Sequence, residues 1–145
     1  MNINGASFSN LFNIADGGVW VNKGGILILQ YGSIGNNYRT LQDSTFAAYV
    51  VPASFKYVII GYRALVSYSS TAVISGAVGY GTAATTSAAP AGNVEMPLSF
   101  AASVAGNINS SNLNLDVPAG GYPYFRGNAA GIGIQVTLFG YLQAV

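Results

Sequence analysis

Residues 57–68 read YVIIGYRALVSY. Side chains along a strand point alternately to opposite faces. One face of this strand would carry Val58, Ile60, Tyr62, Ala64, Val66 and Tyr68. The other would carry Tyr57, Ile59, Gly61, Arg63, Leu65 and Ser67. Both sets are largely apolar. One face can line a core, and the other needs a cover: a loop, the N-terminal segment, a neighbouring copy of the chain or a host surface.

The same period recurs at the end of the chain. In IGIQVTLFGYLQAV (132–145), Ile132, Ile134, Val136, Leu138 and Leu142 alternate with Gly133, Gln135, Thr137, Phe139 and Tyr141. Ten residues of period two with β-branched enrichment predict a strand. Between these two anchors lie further strand candidates at 26–31 (ILILQY), 45–52 (TFAAYVVP) and 70–81 (STAVISGAVGYG). Residues 82–93, TAATTSAAPAGN, read as a long loop. EMPLSFAASVAG (95–106) fits a strand or a short helix, and its Pro97 argues against a central strand. NINSSNLNLDVP (107–118) reads as loop with a short strand around Leu113–Val117. VPA occurs twice, at 51–53 and 117–119, each time ahead of an aromatic; proline and small residues there predict the same corner before two different strands.

Many short strands with Gly/Pro-rich turns predict an all-β fold, a sandwich or barrel. About eight strands with long connections favour a single jelly-roll-type β-sandwich over residues 26–145, with an immunoglobulin-like sandwich as the alternative. Residues 1–25 differ from the rest. Phe8, Leu11, Phe12, Ile14 and Trp20 stand among Asn, Ser and Gly, with Gly-Gly pairs at 17–18 and 24–25. They read as an N-terminal arm or extended segment, with one helical turn through 8, 11 and 12 as the alternative. Trp20 sits where a strand could start.

Composition narrows function. The 145 residues contain no cysteine and no histidine, so the commonest nucleophile–base pairs and metal ligands are missing. The four carboxylates, Asp16, Asp43, Glu95 and Asp116, sit singly at turns or beside proline. No enzymatic activity, cofactor or metal is expected. GAVGYG (76–81) is not followed by the amphipathic helix a phosphate loop needs, and reads as a turn. Asn109-Ser110-Ser111 matches a glycosylation acceptor by chance. MNINGASFSN lacks the basic start of a secretory leader, so a protein made without one is expected.

Charged residues are 6% of the chain, against roughly 25% in an ordinary soluble domain. The five cations are scattered, which argues against nucleic acid and against an anionic membrane surface as partners. A near-neutral chain that is 51% hydrophobic has little protection against self-association, which points to a protein that works assembled.

The VPA corner before KYVIIGYRALVS, the VGYG run, the second corner VPAGGYPYF and the closing IQVTLFGYL resemble small jelly-roll proteins of tailed-bacteriophage particles, and among these the capsid decoration, or cement, proteins. The resemblance covers about residues 45–145. It implies a homotrimer on the outer capsid surface of the virion, bound to the major capsid protein and stabilising capsomer contacts. Phe8, Leu11, Phe12, Ile14 and Trp20 would then be the contacts to capsid or neighbours. Tyr62, Tyr68, Tyr122, Tyr124 and Arg126 would serve a subunit interface or contact a receptor. The alternative is a receptor- or glycan-binding module of a tail fibre or spike, in which Tyr122, Tyr124 and Arg126 would grip a sugar.

Overall fold

The computed structural model describes residues 12–14, 20–22, 26–66, 74–98, 106, 108–128 and 133–145. The decisive stretch forms strand β5 (Phe55–Val66), yet its alternation does not run unbroken. The register against the neighbouring strands shifts at Ile60, which opposes no residue of the last strand. Before the bulge, Tyr57 and Ile59 enter the core; after it, Tyr62, Ala64 and Val66 do. A bulge is one extra residue that reverses which side the following side chains face. Here it gathers the bulkiest apolar residues of both sequence faces onto one. Gly61 marks the place, as an interior strand glycine often does. The outer face keeps Val58, Ile60, Arg63 and Leu65.

Two four-stranded antiparallel sheets form the sandwich. Strands β3 (Leu27–Ile34), β5, β8 (Ile108–Val117) and β10 (Ile134–Ala144) make the first, in the order β3-β10-β5-β8. Strands β4 (Tyr38–Thr40), β6 (Gly76–Gly81), β7 (Val94–Pro97) and β9 (Tyr122–Gly127) make the second, in the order β4-β9-β6-β7. The pairs β3·β10, β4·β9, β5·β8 and β6·β7 are nested in sequence. The chain is therefore one long antiparallel hairpin rolled up, which is the jelly-roll arrangement.

The core lies between the sheets. Leu29, Ile34, Tyr57, Ile59, Leu138 and Val66 come from the first sheet, and Val78 and Phe125 from the second. Strand β10 keeps the alternation read from sequence: Ile134, Val136 and Leu138 are buried, while Gln135 and Tyr141 are exposed.

Several local readings are corrected. Residues 45–52 are no strand. They form the β4–β5 connection, and their apolar side chains Tyr49 and Val51 plug the core instead of pairing in a sheet. GAVGYG is not a turn but β6, a central strand. Its glycines make room for aromatic rings: a methyl group on Gly79 would sit 2.7 Å from the Tyr124 ring. The Asn/Ser-rich run is β8, ten residues long; as an edge strand it pairs, among the described residues, with β5 alone, and Leu113, Leu115 and Val117 give it an apolar inner side. In the N-terminal segment, Phe12–Ile14 (β1) and Trp20–Asn22 (β2) form a two-stranded antiparallel ladder, so the helical alternative does not hold at Phe12.

The two VPA segments do form the same corner. In each, the proline carbonyl accepts a hydrogen bond three residues on, from Phe55 N–H and from Gly121 N–H. The residue between has positive φ in both: Ser54 at 66° and Gly120 at 77°. The corners are also bonded to each other. Val51 N–H donates to the Gly121 carbonyl at 2.9 Å, and Gly120 N–H to the Val51 carbonyl at 2.8 Å.

Candidate functional site

The outer face of the first sheet carries two unlike rows. Directly opposed residues of an antiparallel pair share a face. One row runs Ile28–Phe139–Gly61–Asn112 across all four strands. Ile60, displaced by the bulge, and Ile26, just before β3, extend it. Ile28 is 48% exposed, Ile60 39% and Ile26 50%. Ile26, Ile60 and Phe139 line a shallow depression of about 590 Å³, with Ser110 and Asn112 as its polar side. The next row is polar. It runs Gln42–Gln30–Thr137–Arg63–Ser110, with Gln42 attached to the edge of β3 by reciprocal backbone hydrogen bonds of 2.8 and 2.9 Å to Gln30. The extra residue on β5 places the apolar row outside, because without it Ile60 and Tyr62 would fall on the same side.

The outer face of the second sheet is built differently. Tyr124 lies across Gly79 and is fully buried. Its hydroxyl donates to Glu95 Oε2 at 3.0 Å and accepts from Asn93 Nδ2 at 3.3 Å. Arg126 grips the same carboxylate with two nitrogens, Nη2 to Oε1 at 2.6 Å and Nε to Oε2 at 3.2 Å. Its guanidinium also lies 5.6 Å from the centre of the Tyr38 ring, which meets Tyr124 edge-on. A two-pronged Arg–carboxylate pair fixes orientation as well as adding attraction. The Arg126 bonds hold the Glu95 carboxyl below its ordinary range, while burial pushes the Tyr124 phenol up to about 12.

This network has a pH signature. A carboxyl whose folded pKa is lowered contributes stability above its unfolded pKa, and loses it as pH falls through the folded value. Denaturant midpoints are therefore expected to drop as pH falls below about 4, the unfolded glutamate range. Glu95→Gln should be less stable than wild type at pH 7 and show a smaller acid-induced drop. Equal drops in both proteins would remove Glu95 as the acid-sensitive group.

The structure separates the residues singled out in the sequence. Tyr122 and Arg126 are half-buried on the outer face of the second sheet. Tyr124, between them, is buried, so its ring is enclosed by the network and not offered to a ligand. Tyr62, read from the sequence as a candidate subunit-interface or receptor contact, points into the core at 2% exposure: the bulge turns it inward, away from the surface such a contact needs. Phe12, Ile14 and Trp20 lie in the β1–β2 ladder, with Ile14 opposite Trp20. Phe8, Leu11 and Tyr68 lie outside the described residues.

Sequence reasoning missed Ile28, Phe139, Phe46 and the Glu95 partnership. Phe139 and Ile60 carried a signal all the same: Phe139 is the bulky apolar residue on the face of its strand opposite Ile134, Val136 and Leu138, and Ile60 lies in a strand that is apolar on both faces. Glu95 and Arg126 are 31 residues apart and nothing local links them. Among the described residues no three acidic side chains come together as a metal site would need. No protein-family model matches the chain, and no curated protein matches it in sequence.

Proposed function

We propose that this is a non-enzymatic structural protein of a virus particle: a capsid decoration protein that sits as a homotrimer on the outer surface of a tailed-phage capsid and stabilises contacts between capsomers. The observation that supports this reading is the exposed apolar row Ile26–Ile28–Phe139–Ile60 on the outer face of the first sheet. Contiguous apolar surface of this kind marks an interface. A chain with five cations and four anions has few charges to keep such a surface apart from its like. The partners in this reading are further copies of the chain and the major capsid protein. The alternative, a glycan-binding tip using Tyr122, Tyr124 and Arg126, loses support because Tyr124 is enclosed and Arg126 is held by Glu95.

Light scattering after size exclusion tests the assembly step. The expected mass is three times the 14.9 kDa of the chain. The double substitution Ile60→Asp with Phe139→Asp places charge on the proposed interface and should give a monomer with unchanged circular dichroism. It should also fail to co-sediment with particles that the wild-type protein decorates. A wild-type protein that is a stable monomer at micromolar concentration overturns the homotrimer, and one that does not bind capsids overturns the decoration role.

A further inference from the structure

The polar row of the first sheet ends in a feature that assembly through the apolar row does not use. Loop 43–47 presents Phe46 at 74% exposure, with φ of 62°. Positive φ is costly for a bulky side chain and persists only where surrounding bonds enforce it. They are present. Phe46 N–H donates to the Asp43 carbonyl at 3.0 Å, and Asp43 N–H to the Ala47 carbonyl at 3.1 Å. The Asp43 carboxylate accepts from Thr45 N–H at 2.8 Å and from Thr45 Oγ1 at 2.6 Å. Gln42 Nε2 donates to the Phe46 carbonyl at 3.0 Å. A strained, well-bonded loop thus holds an aromatic ring in solvent.

Beside that ring is a second depression, of about 450 Å³, lined by Gln30, Gly32, Gln42, Phe46, Gln135 and Thr137 among others. Gln42, Gln30 and Thr137 are successive members of one cross-strand row, and Gln135 is two residues from Thr137 on the same face of β10. Three carboxamides and a hydroxyl therefore converge on one hollow. An amide offers both donors and an acceptor, and a hydroxyl offers both as well. No carboxylate, ammonium or guanidinium lines the hollow. A Cβ on Gly32 would meet nothing within 4 Å, so the floor there is open.

We propose that this hollow is a binding site for a neutral saccharide. A sugar ring has an apolar C–H face and a rim of hydroxyls, each both donor and acceptor. Phe46 supplies a flat apolar surface for the first, and Gln30, Gln42, Gln135 and Thr137 answer the second. A charged ligand finds no opposite charge in the hollow; the nearest in the row is Arg63, on the far side of Thr137. A purely apolar partner would strand three amides without hydrogen bonds. The inference does not rest on attachment to a capsid, since the hollow is built from the polar row and not from the apolar row beside it.

The test uses saturation-transfer NMR on the full-length protein with a panel of neutral glycans (glucose, galactose, mannose, N-acetylglucosamine and their short oligomers) and sialylated controls. Binding of at least one neutral glycan is expected with a dissociation constant on the order of 1 mM or below, as suits a shallow site. Phe46→Ala should weaken it roughly tenfold or more. Gly32→Leu, which fills open space without strain, should block it while the melting temperature stays near wild type. Binding of sialylated glycans alone, or of none, overturns the proposal. So does neutral-glycan binding that both variants retain. If Phe46→Ala instead lowers the mass in solution without affecting any glycan, the ring is a contact between copies and the saccharide assignment is wrong.

Discussion

Gly140→Val is expected to be among the most damaging single substitutions in this protein. Gly140 lies in β10, paired with Leu27 on one side and Ile59 on the other. A side-chain carbon there would collide with the Val58 carbonyl oxygen and the ring of Tyr57. Neither neighbour can retreat. The carbonyl belongs to a central strand, and Tyr57 is fully buried. Overpacking in a closed core costs about 1–3 kcal/mol and sometimes more. A β-branched side chain against backbone belongs at the upper end, against a total stability of roughly 5–15 kcal/mol for a domain. Chemical denaturation should show a lowered midpoint with a similar slope. The control is Gly32→Ala, where open space predicts a change within about 0.5 kcal/mol. If both glycines tolerate substitution equally, the register of β10 against β5 is wrong.

Tyr57→Ala is expected to cost about 3–5 kcal/mol, the range for truncating a large buried aromatic. Tyr57 is the pivot of the first sheet's inner face. Its ring meets Tyr49 edge-on with centroids 6.2 Å apart, and its hydroxyl donates to the Leu27 carbonyl at 2.9 Å. Tyr57→Phe keeps the ring and removes only that bond, so a loss of about 1 kcal/mol is expected. The pair of variants thus separates packing from hydrogen bonding. Burial also pushes the phenol well above its usual range. A group whose folded pKa is raised contributes stability below its unfolded pKa and loses it as pH rises. Tyr57→Phe should therefore lose less stability than wild type when pH is taken above about 10. A Phe variant as damaged as the Ala variant would mean that the hydroxyl, not the ring, holds this end of the core.

Both substitutions depend on the bulge at Ile60. Without it, Tyr57 and Tyr62 could not both face inward, since they are five positions apart and strict alternation puts odd and even positions on opposite sides. The same residue explains the two apolar faces of YVIIGYRALVSY. One is the core face, assembled from both halves of the strand. The other is the outer row that the proposed assembly covers.

The sequence alone determined what short-range periodicity encodes. Strand β10 alternates over its own length, so its inner and outer residues were legible without knowledge of its neighbours. The repeated VPA corner was legible because a turn is a property of four consecutive residues. The scarcity of charge and the lack of Cys and His are compositional and needed no fold. Tertiary structure decided everything that depends on a distant partner. TFAAYVVP has strand-like composition, yet it fills the end of the core as a connection, because strands are defined by ladders and no ladder reaches it. INSSNLNLDV has loop-like composition, yet β5 gives it a ladder and its polar half needs no core. Glu95 joins Arg126 and encloses Tyr124 only because β9, β6 and β7 lie side by side, and Phe46 and Gln135 line one hollow only because β3 and β10, the two ends of the rolled hairpin, are neighbours. Side-chain alternation costs the chain nothing beyond its local geometry. The pairing of remote strands is settled by the whole set of ladders and the core they enclose, and that information is spread over the entire sequence.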